Sequence, residues 1–179
     1  KGVEEGMAYK SGVKPEITAS EDATITATLN GKEYKPGTMI SDEGQYELKA
    51  FAVDKANNKS KEVVVKFTID KTAPEFKISG VEDGETYDKA VKVSVEAEKD
   101  AVVTATLNGK DFDLTKEIME NGEYSLVVKV QDKAGNVTEK TIKFTIKIKN
   151  DNPGGGSGSI DKPTNDKPST GIGKLPQTG

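Results

Sequence analysis

One sequence pattern occurs twice in this chain, displaced by 78 residues, and no other feature constrains the fold as strongly. The stretch "ATITATLNGKEY" (23–34) returns as "AVVTATLNGKDF" (101–112). Over residues 2–58 and 80–136, 25 of 57 aligned positions are identical. A repeat of this length indicates two copies of one folding unit. We therefore expect a single fold that forms twice.

Each copy is predicted to be all-β. The second copy contains segments in which apolar and polar residues alternate with period two and in which Val, Ile, Thr and Phe are frequent. These segments are "TAPEFKIS" (72–79), "AVKVSVEA" (90–97), "AVVTATLNG" (101–109), "EYSLVVKV" (123–130) and "KTIKFTIKI" (140–148). Turn-forming clusters such as "EDGE" and "ENGE" separate them. Short strands at this spacing predict a sandwich of two antiparallel sheets.

The repeat also predicts where the domains lie. We expect the first domain over residues 1–70 and the second over 71–148, each with a thin core because it has only about 75 residues. The strand predicted at 72–79 has no counterpart ahead of Gly2, where only Lys1 stands. The first domain is therefore expected to lack its first strand, and the chain is expected to be an excerpt of a longer protein.

Two tyrosines occupy equivalent positions in the two copies. Tyr46 and Tyr124 each follow a Gly-x pair at the start of the longest predicted strand. An immunoglobulin-like sandwich has its tyrosine corner at this place, with the ring on the core and the hydroxyl bonded to nearby backbone. An ordinary cross-strand aromatic residue would occur there equally well. The sequence leaves both interpretations open.

Two short stretches resemble a known family. "DKTAPEF" (70–76) lies at the junction between the copies, and "VQDKAGNVT" (130–138) precedes the last strand. With them, residues 2–148 resemble the bacterial immunoglobulin-like modules that are strung along Gram-positive surface proteins. The resemblance implies two tandem immunoglobulin-like β-sandwich domains. It implies a fold far more specifically than it implies an activity.

The composition disfavours most catalytic and nucleic-acid functions. The chain contains no Cys, His or Trp, and all 26 basic residues are lysine. Thiolate nucleophiles, the usual general base and the commonest metal ligand are therefore missing. Without arginine, and with a net charge of −4, nucleic-acid binding is disfavoured. We expect no enzymatic activity in these residues, no catalytic residue, no cofactor and no metal.

The repeats contain residue types that three alternative chemistries would use. A calcium ion at "DKANN" (54–58) or "DKAGN" (132–136) would need six or more oxygen ligands, and neither stretch supplies them. Both stretches are therefore predicted to form turns. In these turns Asp132 caps its own backbone, and Gly135 and Asn57 have a positive φ. An internal Lys–Asn isopeptide bond would need a buried lysine, but no pilin-type signature is present. The 30 acidic residues are interspersed with lysines, as on a solvated surface. This pattern disfavours a pair of catalytic carboxylates of the kind that a glycosidase uses.

The pattern changes after Ile148. The stretch "KNDNPGGGSGSIDKPTNDKPSTGIGK" (149–174) contains almost no apolar residue and cannot bury enough surface to offset the entropy of ordering. A disordered linker is expected, with an r.m.s. span of about 25–30 Å and a full reach of about 80 Å.

The last five residues match a sorting signal. Leu175, Pro176, Gln177, Thr178 and Gly179 form the L-P-x-T-G pattern that sortases recognise on Gram-positive surface proteins. The resemblance implies cleavage between Thr178 and Gly179 and an amide link from Thr178 to peptidoglycan. The apolar stretch and the positively charged tail that continue the full signal are absent. We therefore expect that the sorting reaction has not occurred on this polypeptide.

Together these features favour the carboxy-terminal stalk of a secreted surface protein that is anchored to the cell wall. Its expected partners are a sortase, transiently, and peptidoglycan, covalently, and the fragment is expected to be a monomer. One alternative is an adhesin whose modules bind a host surface protein or glycan. Another is a pair of accessory domains of a large secreted glycosidase or peptidase, with the catalytic part upstream.

Overall fold

The computed structural model describes residues 1–149, which form strands, turns and connecting loops without a helix. The predicted sorting motif and, apart from Lys149, the predicted linker lie outside the described residues. The first repeat contains the strands β1 (Ala8–Tyr9), β2 (Ala23–Leu29), β3 (Lys32–Glu33), β4 (Gly44–Asp54) and β5 (Val63–Ile69). The second contains β6 (Phe76–Ser79), β7 (Thr86–Tyr87), β8 (Val91–Lys92), β9 (Ser94–Ala97), β10 (Val102–Leu107), β11 (Lys110–Asp111), β12 (Glu117–Ile118), β13 (Gly122–Gln131) and β14 (Val137–Ile146).

Each repeat contains a five-stranded sheet with the same topology. The strand orders are β1-β5-β4-β2-β3 and β7-β14-β13-β10-β11. The edge strands β1 and β7 run parallel to β5 and β14, and all other neighbours are antiparallel. The registers also correspond, since Ala27 pairs with Ala50 as Ala105 pairs with Val128. The predicted repetition of one fold is confirmed.

A second layer closes the core of the second repeat. It consists of the pairs β6–β9 and β8–β12. Phe76, Val93 and Ile118 from this layer belong to one buried cluster with Leu126 and Phe144 from the five-stranded sheet. Apolar side chains from two facing layers form the interior of a β-sandwich. The all-β, immunoglobulin-like class predicted from the sequence is confirmed.

Two predicted strands differ from the observed ones. The strand predicted at 72–79 begins only at Phe76, because the preceding residues form the connector between the repeats and Pro74 has no N–H to donate to a ladder. The strand predicted at 90–97 is interrupted at Val93. On either side of Val93 the chain changes partners, since β8 pairs with β12 and β9 pairs with β6.

Both tyrosines combine the two features that the sequence left open. The Tyr46 hydroxyl donates to the carbonyl of Asp42 at 2.8 Å, and the Tyr124 hydroxyl donates to that of Glu120 at 2.8 Å. The Tyr46 ring also stacks on its cross-strand partner Phe67, with the ring centroids 5.3 Å apart. Tyr124 stacks in the same way on Phe144, so the corner bond and the cross-strand contact coexist.

These tyrosines predict a loss of stability at alkaline pH. Burial raises the pKa of Tyr46 and Tyr124 above the ordinary value, and the nearby Asp42 and Glu120 carboxylates raise it further. A raised pKa of an acid contributes stability below the unfolded pKa of about 10, and this stability is lost as the pH rises through the folded pKa. We expect urea unfolding between pH 8 and 11.5 to show a smaller loss in the double variant Tyr46→Phe/Tyr124→Phe than in the parent.

The same variant provides a neutral-pH comparison. At pH 7 each lost hydroxyl bond is expected to cost about 0.5–1.5 kcal/mol of unfolding free energy. Lysines also lose their charge near pH 10 in both proteins, so only the difference between the two pH profiles reports on the tyrosines. Identical alkaline profiles would contradict this assignment.

Candidate functional site: the junction between the repeats

The connector between the repeats is short and locally ordered. It runs from Asp70, which follows β5, to Glu75, which precedes β6. The Asp70 carboxylate accepts a hydrogen bond from the backbone N–H of Thr72 at 3.0 Å, and Pro74 is fully buried. Because proline fixes its own φ and restricts the residue before it, this segment has few alternative conformations.

The second repeat holds the connector through one loop. In this loop both carboxylate oxygens of Asp132 accept hydrogen bonds from Asn136, one from the backbone N–H at 2.9 Å and one from the side-chain amide at 2.8 Å. The loop closes with Gly135 at a φ of 87°, which glycine adopts without steric cost. The Asn136 amide then donates to the carbonyl of Asp70 at 2.8 Å, across the junction.

The first repeat holds the same connector from the other side. The Glu43 carboxylate accepts hydrogen bonds from the backbone N–H of Lys71 and, at 3.1 Å, from the hydroxyl of Thr72. The backbone N–H of Asp70 also donates to the carbonyl of Tyr9, at 3.0 Å. Bonds from both repeats to consecutive connector residues restrict the hinge at which the two sandwiches would otherwise rotate.

The structure supports the turn interpretation of the two "DKA" loops. Asn57 has a φ of 65° and Gly135 one of 87°, as the turn predicts. In residues 1–149 no group of three or more acidic side chains could hold a metal ion. The carboxylate of Asp132 accepts hydrogen bonds from Asn136 and so orients the side-chain amide of that residue.

The isopeptide alternative has no support in the described residues, where no charged or polar side chain is buried. Lys140 comes near the core of the second repeat, with its Nζ donating to the carbonyl of Phe76 at 2.6 Å. The Lys140 residue is nevertheless exposed. The desolvated lysine that such a bond needs is therefore not found in this part of the chain.

The predicted site residues do not lie at the junction. Tyr46 and Tyr124 pack within their own repeats, and Leu175, Pro176, Gln177, Thr178 and Gly179 lie outside the described residues. The sequence did not predict that Glu43, Asp70 and Asn136 would meet at the junction. The recurrence of Asp-Lys-Ala-x-Asn in both repeats was the available signal, but a bond between residues 70 and 136 requires the tertiary fold.

The junction gives a testable prediction. Replacing Asn136 with alanine removes the bond to Asp70, so we expect the two repeats to sample a wider range of orientations. Spin labels at Lys32→Cys and Lys110→Cys, both exposed and in a chain without native cysteine, report this range as the width of a distance distribution measured by pulsed EPR. The substitution also removes the amide's bond to the Asp132 carboxylate, and each lost hydrogen bond should cost about 0.5–1.5 kcal/mol.

The first repeat supplies the matched control. Asn58 makes the same loop bonds, with its side-chain amide donating to the Asp54 carboxylate at 2.8 Å, but this amide makes no hydrogen bond to the connector. The variant Asn58→Ala should therefore leave the distance distribution unchanged. A distribution in Asn136→Ala as narrow as that of the parent would show that the bond does not restrict the junction.

Comparisons with known proteins agree with this architecture. Residues 70–148 match the family described as "Bacterial Ig-like domain". No curated protein matches the chain in sequence. None of the described residues forms a helix suited to crossing a membrane.

Solved structures of low sequence identity are similar to the chain. The fibronectin(III)-like modules of Clostridium thermocellum CbhA are 14% identical, with a TM-score of 0.44, 82% of this chain covered and 91% of that one. Extracellular domains 3–5 of Drosophila OTK are 12% identical, with a TM-score of 0.49, 82% of this chain covered and 61% of that one. The titin I-band fragment I67–I69 is 14% identical, with a TM-score of 0.45, 83% of this chain covered and 64% of that one.

The family match covers the second repeat, and the first repeat has the same strand order in its five-stranded sheet. Bacterial immunoglobulin-like domains are typical of extracellular surface or spacer modules, so the match suggests an extracellular protein. The described chain consists of tandem immunoglobulin-like repeats, the second of which matches the bacterial Ig-like domain.

Proposed function

We propose that the two repeats are a spacer in a wall-anchored surface protein and that they carry amino-terminal modules away from peptidoglycan. The observation that carries the proposal is the connector, which both repeats hold through Glu43 and Asn136. A spacer must keep its length, and a joint that is bonded from both sides resists folding back. The Leu-Pro-Gln-Thr-Gly sequence at 175–179 supplies the attachment point.

Attachment would follow the chemistry that the motif implies. A sortase cysteine thiolate attacks the carbonyl carbon of Thr178, and the bond to the nitrogen of Gly179 breaks, so that glycine leaves with a proton as a free amine. The resulting thioester is attacked by an amine of the cell-wall precursor, which forms an amide at Thr178 and returns the thiol. Pro176 stiffens the peptide and Leu175 offers an apolar anchor to the enzyme.

The reaction can be tested directly on this chain. Incubation with a class A sortase and a glycine-based amine should yield a product joined at Thr178, with Gly179 released, as read by mass spectrometry. The matched control Thr178→Ala should lose most of this product, and Gly171→Ala, in the same tail, should retain it. Absence of product from both the intact chain and a peptide of residues 169–179 would refute the anchoring proposal.

The adhesin alternative has less support than the spacer. All five Phe and five Tyr of the chain lie in the described part, and none of them is exposed. Glycan-binding surfaces commonly present aromatic faces to the ligand, so these repeats offer no such platform. No catalytic function is proposed for them.

A further inference from the structure

All three methionines of the chain lie on its surface. Met7 is 46% exposed, Met39 is 58% exposed and Met119 is 64% exposed. Methionine is otherwise among the residue types most often fully buried, because its flexible apolar side chain fills gaps in a core. In residues 1–149, neither of the two buried clusters includes a methionine. Packing of the core therefore does not account for these three side chains.

The backbone directs two of these side chains away from the core. Met39 precedes Ile40, which is buried and forms an isolated bridge with Val13. Met119 follows Ile118, which is buried in β12 and occupies the position equivalent to Ile40 in the 78-residue register. Neighbouring side chains of an extended segment point to opposite faces. Each of these methionines therefore points to solvent.

Each methionine also has an exposed polar counterpart in the other repeat. In the 78-residue register the aligned pairs are Met7 with Glu85, Met39 with Glu117 and Met119 with Ser41. The backbone at the first pair is the same in both repeats. The carbonyl of Met7 accepts a hydrogen bond from the N–H of Thr68 at 2.9 Å. The carbonyl of Glu85 accepts one from the equivalent Thr145, also at 2.9 Å. The fold thus accommodates a polar side chain at all three positions.

The composition makes the thioether the most readily oxidised group in the chain. The sequence contains no Cys, His or Trp, whose side chains would compete for an oxidant. Hydrogen peroxide converts a thioether to a sulfoxide, which changes a flexible apolar side chain into a polar one. Such a change disrupts a core, because a buried polar group without a partner is costly, whereas an exposed sulfoxide stays hydrated.

We propose that Met7, Met39 and Met119 are surface sites of oxidation by peroxide and that both repeats keep their fold when all three are oxidised. At each site the sulfur attacks one peroxide oxygen, so that an S–O bond forms and the O–O bond breaks. The sulfur is oxidised by two electrons. The second oxygen leaves as hydroxide, which takes the proton of the new S–OH group and becomes water. This chemistry uses only described residues and is independent of the sorting motif.

Treatment of the full chain with hydrogen peroxide tests the sites. The intact mass should rise by three oxygen atoms, and mass spectrometry of peptides should assign one to each methionine. Each methionine should react in the folded chain at a rate within about tenfold of its rate in urea, because no opening of the fold is needed. The control Leu126→Met introduces a thioether at a position with no exposed surface. This thioether should react at least about a hundredfold more slowly in the folded chain than in urea.

A second measurement reports whether the fold tolerates the three sulfoxides. The melting midpoint of each repeat should fall by no more than about 4 °C after oxidation, because changes on the surface have small effects on stability. The variant Met7→Glu/Met39→Glu/Met119→Ser carries the aligned residues of the other repeat. It should melt within the same range and take up no oxygen under the conditions that oxidise the parent.

Three results would overturn the proposal. The first is a methionine that reacts more than about tenfold more slowly in the folded chain than in urea, since its sulfur would then be shielded. The second is a fall of more than about 4 °C in the melting midpoint of either repeat after oxidation. The third is a folded Leu126→Met chain in which the introduced thioether reacts as fast as the other three, because exposure would then not govern the reaction.

Discussion

Replacing Phe76 with alanine should lower the unfolding free energy of the second repeat by about 3–5 kcal/mol, the usual cost of removing a buried phenylalanine. The side chain is only 6% exposed and belongs to the buried cluster that joins the two layers. Its loss leaves a cavity beneath β6 and also removes the ring over which Lys140 lies, 4.5 Å from the centroid. Small domains are stable by only about 5–15 kcal/mol, so this one change could unfold the repeat at moderate temperature.

The measurement should report the unfolding free energy of each repeat separately. Denaturant unfolding followed by residue-specific NMR signals, for example those of Tyr124 and Tyr46, separates their free energies. The neighbouring exposed Lys77 provides the control, and Lys77→Ala should change stability by no more than about 0.5 kcal/mol. A cost below about 1 kcal/mol for Phe76→Ala would mean that β6 does not close the core.

Residues 2–69 should unfold before residues 72–148, in a separate transition that is lower by about 3–5 kcal/mol. The first reason is that residues 16–19 pair with no strand in the described residues, whereas the aligned strand β9 of the second repeat pairs with β6. The second is the core itself, where Ala50 and Ala52 align with Val128 and Val130, both with no exposed surface. Valine has two more methylene-sized groups than alanine at each position, and each group contributes about 0.8 kcal/mol of hydrophobic stabilisation. The smaller side chains alone therefore account for about 3 kcal/mol, most of the expected difference.

Amide exchange across residues 1–149 of the intact chain measures both transitions at once. Core amides of β4 should exchange through an opening of lower free energy than the equivalent amides of β13. The paired variants Leu48→Ala and Leu126→Ala serve as markers, because each should lower only the free energy of its own repeat. Exchange at one common free energy would contradict this prediction and would show that the repeats unfold as a single unit.

The sequence alone determined the fold class and the repetition. Alternation along "EYSLVVKV" and the turn residues around it are local properties, because side chains of a strand point to opposite faces with period two. The 78-residue register transfers the predicted strand positions from one repeat to the other, because similar sequence patterns form similar strands. The sorting motif predicted at 175–179 rests on sequence alone, because it lies outside the described residues.

Only the tertiary structure decided the contacts at the junction between the repeats. The bond from Asn136 to Asp70 joins residues 66 positions apart, and that from Glu43 to Thr72 joins residues 29 apart, so neither leaves a local pattern. The interruption at Val93 likewise depends on which strands face each half of the predicted segment. Periodicity specifies which side chains are buried in a strand, but the partner of a polar group is set by where the folded chain brings its atoms within about 3 Å.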